Sequence, residues 1–199
     1  MAAYHMVLVH FPTALWMTAT LAIVLRSLSD GALAKVVDRA LVPLLTVALV
    51  SGVVAFAVGL SVWPWETISS SPLGRNHVLL ASWTVAYWAL LLVTRWLRGE
   101  AVWKGASRWI MAGLALLGSV LLGITGTLGG HLVGIYTEVS SALRLLGWEV
   151  FTTFYVPDLT LAVIGVITLL LVGLGLSGAA PTGWVEPTRS LRSRTQSGG

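Results

Sequence analysis

The sequence predicts an all-α integral membrane protein: a helical bundle of five transmembrane helices, a four-helix core plus one, with the N-terminus outside. Three observations predict it. Of the 199 residues, 56% are hydrophobic and only 10% charged, at a mean hydropathy of +0.87. Several uncharged runs exceed the roughly 18 residues that mark a membrane-spanning helix. Lysine and arginine concentrate in alternate connecting segments, as membrane topology requires.

The first span covers residues 5–25, with Pro12 in or near its first turn, where a missing amide has no helical partner to lose. No basic residue precedes it, so it reads as a retained span rather than a cleaved leader. A short loop carries Arg26, Asp30, Lys35, Asp38 and Arg39. The second span, residues 40–62, ends at Trp63-Pro64-Trp65, an interfacial aromatic anchor followed by a break. Gly52 and Gly59 fall on one of its faces.

Residues 66–76 form a polar, serine-rich loop. The third span covers residues 77–96. Arg95, Arg98, Lys104 and Arg108 follow, flanked by Trp96, Trp103 and Trp109. The fourth span, residues 109–135, is glycine-rich in its second half, and Gly126 and Gly130 make a small-xxx-small pair suited to close helix packing. Residues 138–153 are too polar to span, but Val139, Leu143, Leu146 and Val150 recur at helical spacing, which predicts an amphipathic surface helix. A fifth span opens at Pro157-Asp158, and the polar tail beyond it, with Arg189, Arg192 and Arg194, reads as disordered. The expected organisation is a four-span core (1–136), a surface segment (137–153), a fifth helix (154–177) and a tail (178–199). No internal repeat stands out.

The net charge of +4 and pI near 10.0 do not point to nucleic acid. Every lysine and arginine except Arg75 and Arg144 falls in the first loop, the third loop or the tail. That asymmetry predicts a multi-pass membrane protein with its N-terminus outside and its C-terminus cytoplasmic, and membrane lipid as its surroundings. The absence of cysteine excludes disulfides, thiolate-held clusters and covalently attached haem.

On this map all four histidines lie in the outer half: His5 and His10 in span one, His77 opening span three, His131 late in span four. Ionisable side chains within spans usually mark function. Haem iron takes neutral imidazoles from facing helices, so one or two b haems are expected. In an up-down bundle spans one and three are diagonal, which favours His10 and His77 as the pair, with His131 an alternative or second-site ligand and His5 the fourth candidate. Gly52, Gly59, Gly123, Gly126 and Gly130 leave room for a flat macrocycle, and Arg75 is placed to meet a propionate. The plainer explanation is a histidine with its tip in the headgroups, above all for His5, and glycines that serve helix packing. A quinone hydrogen-bonded to His77 or His131 is a further alternative. Zinc or copper would need nearby carboxylates, and only Glu66 and Glu138 are at hand. No phosphate loop or nucleophile elbow is present, and the span centres lack the charges of a transporter.

Val9-His10-Phe11-Pro12-Thr13-Ala14-Leu15 resembles the "His-Phe-Pro-x-Ala-Leu" opening of a bacterial membrane family filed as domain of unknown function 2231. Ser51-Gly52, His77 and the run Thr125-Gly126-Thr127-Leu128-Gly129-Gly130-His131-Leu132-Val133 are similar to its later landmarks, over residues 5–136. The resemblance implies a four-span core often associated with c-type cytochromes, hence a redox role and haem binding, with His10 and His77 matching the family pattern. The surface segment and fifth span depart from it. The expected function is a b-type cytochrome subunit of a bacterial redox complex, relaying electrons between a periplasmic partner such as a c-type cytochrome and quinone or another membrane subunit. It would be an electron-transfer subunit without turnover of its own. The alternative is a haem-free structural or quinone-binding anchor.

Overall fold

The structure, a computed structural model, describes residues 1–147 together with positions 159, 162–163, 165–167 and 169–170. The elements are α1 (Ala2–Leu28), α2 (Ala32–Leu60), α3 (Trp65–Ser70), α4 (Pro72–Arg98), a 3-10 turn (Gly99–Trp103), α5 (Ser107–Leu132) and α6 (Glu138–Leu145). Four helices are long and apolar enough to cross a membrane: α1, α2, α4 with its 3-10 turn, and α5. The expected fifth span and tail lie outside the described residues except at the positions between 159 and 170 just named, which are helical and exposed. Residues Val156–Gly199 form a unit of their own, separate from Met1–Tyr155.

At their charged ends α1, α2 and α4 run past the hydropathy limits, and the reason is electrostatic. Arg26, Asp38 and Arg95, expected in loops, belong to helices and are buried. Arg95 grips Asp38 with two hydrogen bonds, Nε to Oδ1 at 3.1 Å and a terminal nitrogen to Oδ2 at 2.9 Å. Arg26 pairs with Asp30 and lies 3.6 Å from Glu100. Both guanidinium groups sit by the buried Trp103 ring, 5.5 and 5.7 Å from its centre. Each charge that would end a span meets an opposite charge, and the two guanidinium groups an aromatic face as well, so the helix continues through it.

Two further departures follow from local chemistry. Because α1 begins at Ala2, Pro12 falls in the helix interior, where its missing N–H leaves the Leu8 carbonyl without its usual donor. At the other end of the core, α5 stops at Leu132 rather than 135. Gly134, at φ +78°, turns the chain while Ile135 N–H donates to Gly130 O at 2.9 Å and Gly134 N–H to His131 O at 3.1 Å. Those two bonds make a Schellman stop, which a residue with a Cβ adopts only with strain. The polar loop 66–76 contains α3 and the first turn of α4, capped where Ser71 Oγ accepts from Gly74 N–H. The expected surface helix forms as α6; Val150 lies outside the described residues.

In the bundle α1 packs on α2 and α5, and α4 packs on α5 and α2, so α1 and α4 are diagonal. The shared core runs from Trp16 and Trp88 through Ile23, Leu41, Leu45 and Leu91 to Met111 and Trp103. Leu21, Val50, Leu90 and Val120 point outward and are exposed, the pattern of a surface whose solvent is hydrocarbon. Hydroxyl pairs tie the helices: Thr20 to Ser119 at 2.7 Å, and Thr84 to Thr125 at 2.9 Å.

Candidate cofactor site

At the end of the bundle opposite the arginines, the four spanning helices diverge around an apolar cavity of about 590 Å³. That is within the roughly 300–1,000 Å³ common for small-molecule and cofactor sites. His5, His10 and His77 all line it, with Pro12, Trp16, Gly52, Gly59, Gly126, Gly129 and Gly130. Its floor is Trp16, stacked on Trp88.

The histidine geometry follows from helix hydrogen bonding. His5 Nδ1 lies 3.0 Å from Ala55 O on α2, and His77 Nδ1 lies 3.1 Å from Thr125 O on α5. His10 Nδ1 lies 2.6 Å from Met6 O, one turn back on its own helix. A carbonyl oxygen only accepts, so in each ring Nδ1 carries the proton and Nε2 keeps its lone pair. This is the arrangement by which a protein orients an imidazole for a metal.

The glycines beside the rings are required by the same bonds. A helical carbonyl points toward residue i+4, so a side chain that reaches it from a neighbouring helix lands on that residue. Residue i+4 is Gly59 for Ala55 and Gly129 for Thr125. A Cβ at Gly59 would stand 2.7 Å from His5 Cε1, and one at Gly129 would stand 2.8 Å from His77 Cε1. Gly52 makes the same allowance for Trp16, whose Cη2 would be 2.5 Å from a Cβ there. Gly126 differs: a Cβ would meet nothing within 4 Å, so it leaves part of the cavity open. Gly130 also lines the cavity, but its missing Cβ faces Ile135 O at 3.0 Å, inside the turn that ends α5.

The expected site residues therefore separate. His5, His10 and His77 line the one cavity, as do Gly52, Gly126 and Gly130. His131 is buried away from the cavity lining, edge-on to Tyr136 with ring centres 5.0 Å apart. Arg75 is also outside the lining; it is exposed and donates to Ser69 O at 3.2 Å. Gly129 takes a defined place that the reading of the sequence did not give it, and His5, there assigned chiefly to the headgroups, is among the residues best fixed in the site. Among the described residues no three His, Asp or Glu side chains gather as a metal cluster, so any iron here would rest on imidazoles and a macrocycle.

No family model, curated protein or solved structure matches the chain. The site therefore stands on its own geometry.

The residues present fit a haem in kind. The cavity is mostly apolar, imidazole Nε2 lone pairs belong to residues that line it, and glycines stand where a Cβ would close on the rings or fill the space. A bound haem would supply one-electron exchange. The chain's part would be to hold the imidazole tautomers through Ala55 O and Thr125 O, to exclude water with Trp16 and Trp88, and to set the polarity of the pocket.

Proposed function

We propose that this chain is a b-type cytochrome subunit of a bacterial membrane redox complex, exchanging electrons near the outer face of the membrane. The observation that supports it most is the presentation of His5, His10 and His77 to one apolar cavity, each with Nδ1 occupied by a main-chain carbonyl. The distribution of lysine and arginine supports an outward orientation of that end of the bundle, where a periplasmic carrier such as a c-type cytochrome would meet it. The motif resemblance to the family with cytochrome-associated members points the same way and rests on those motifs alone. Transfer onward goes to quinone or a neighbouring membrane subunit.

A second reading has one observation in its favour. Met6, His10, Thr13 and Met17 line the cavity and are also exposed on α1, so the cavity opens toward the bilayer. A haem-free anchor that binds a quinone head group there would use the same opening.

The test is a reduced-minus-oxidised visible spectrum with a pyridine haemochrome assay on the full chain purified in detergent. A sharp alpha band with stoichiometric haem b is expected. A folded, colourless protein from cells supplied with haem overturns the proposal and leaves the quinone reading.

A further inference from the structure

The two halves of the core repeat a register that the sequence conceals. In α1 His5 is followed by Trp16, and in α4 His77 is followed by Trp88, eleven residues later in each case. Eleven residues are about three helical turns and roughly 16 Å, so both pairs sit on one face of their helix. Each histidine donates to a carbonyl on the next spanning helix in sequence, and each of those carbonyls has a glycine four residues on, Gly59 and Gly129. Each tryptophan also packs on a glycine of that helix, Gly52 for Trp16 and Gly118 for Trp88, though at different offsets from Gly59 and Gly129, so the repeat holds at the histidines and their carbonyls and not at these two glycines; the two rings stack on each other. The helix neighbours agree: exchanging α1 with α4 and α2 with α5 leaves the packing scheme unchanged.

We infer that His5 and His77, related by this internal two-fold, are the two axial ligands of a single haem, bound through Nε2, and that His10 is not a ligand. The inference rests on the cytochrome reading and deepens it. Equivalent positions on diagonal helices face each other across the bundle, as a flat ring held from both faces requires. By contrast, the position equivalent to His10 in α4 is Ser82, so His10 has no counterpart, and its ring is tied to its own helix. One symmetric pair makes one site: a six-coordinate, low-spin haem per chain.

The test is the haem content and the electron paramagnetic resonance spectrum of the purified full chain and of His5→Ala, His77→Ala and His10→Ala. Expected are one haem b with a low-spin bis-imidazole signal in the wild type, its loss in His5→Ala and His77→Ala, its return when free imidazole is added, and in His10→Ala a bis-imidazole signal of the same type in whatever haem is retained. Gly59→Ala and Gly129→Ala keep every ligand but crowd one ring each. Both are expected to weaken haem retention about 10–100-fold, the usual cost of disturbing a ligand's supporting shell. Loss of the signal in His10→Ala with its survival in His5→Ala overturns the ligand assignment alone. Two haems per wild-type chain do the same. A wild-type protein without haem overturns the cytochrome reading and this inference with it.

Discussion

The indole rings of Trp16 on α1 and Trp88 on α4 stack 5.6 Å apart and 11° from parallel, joining the two helices that are diagonal in the bundle. Trp88 is fully buried and Trp16 nearly so. The pair spans the bundle between the cavity and the charged end, and fixes the separation of α1 and α4 beneath the histidines.

Removing either ring opens a void that the flanking helices cannot close. Trp88→Ala is expected to lower stability by about 3–5 kcal/mol, the usual cost of a large-to-small core change. Unfolding in mixed detergent measures it. A double-mutant cycle with Trp16→Ala is expected to show coupling of about 0.5–1.5 kcal/mol, as for other aromatic pairs. Strict additivity would mean that the stack itself contributes nothing.

Glycines in the spans are not interchangeable. Gly52→Ala drives a methyl to 2.5 Å from Trp16 Cη2, whereas Gly113→Ala meets nothing within 4 Å. Overpacking costs about 1–3 kcal/mol, so Gly52→Ala is expected to reduce thermal stability clearly and Gly113→Ala to leave it level or raise it slightly. Equal effects would refute the tight contact.

Gly126 offers a separate handle on the cavity. Its missing side chain faces open space, so Gly126→Leu is expected to fold as the wild type does while filling the site. Haem content should fall while the melting profile of the haem-free protein stays as in the wild type. Undiminished haem would place the cofactor elsewhere.

The charged end is held by partnership. Asp38 and Arg95 are both buried, and Arg26 lies 3.9 Å from the same carboxylate. Asp38→Asn leaves two buried guanidinium groups with a neutral neighbour, a loss on the order of 3–5 kcal/mol. Asp38→Asn combined with Arg95→Met should recover part of it, read again by unfolding in detergent.

Asp30, in the turn between α1 and α2, has its carboxyl pulled below its ordinary 3.8 by the hydrogen bond from Arg26 and then by that from Arg108. A depressed acid stabilises the fold above its unfolded value and stops doing so as pH falls through its folded one. Melting temperature is therefore expected to drop as pH falls from about 4 downward. Asp30→Asn should flatten that limb and leave the rest of the profile alone.

Hydropathy and charge made the four described spans readable, because hydrocarbon demands long apolar helices whose backbones satisfy themselves. The grouping of His5, His10 and His77 at one end was likewise readable. The helix limits were not: Arg26, Asp38 and Arg95 read as loop residues until their partners, distant in sequence, are brought beside them. Pro12 moved from a helix start to a helix interior because α1 begins at Ala2.

The candidate site divides along the same line. The residue types that line the cavity, histidine among glycines, were visible in the chain alone. Which face each residue takes depends on how four helices rotate against one another, a property of packing and not of spacing. That rotation turns His131 toward Tyr136 and away from the cavity, and seats His5 on Gly59 as it seats His77 on Gly129. The sequence by itself determined an apolar helical bundle with its histidines at one end. Only the tertiary structure decided which imidazoles face the cavity, because carbonyl acceptors and steric gaps on neighbouring helices hold them there.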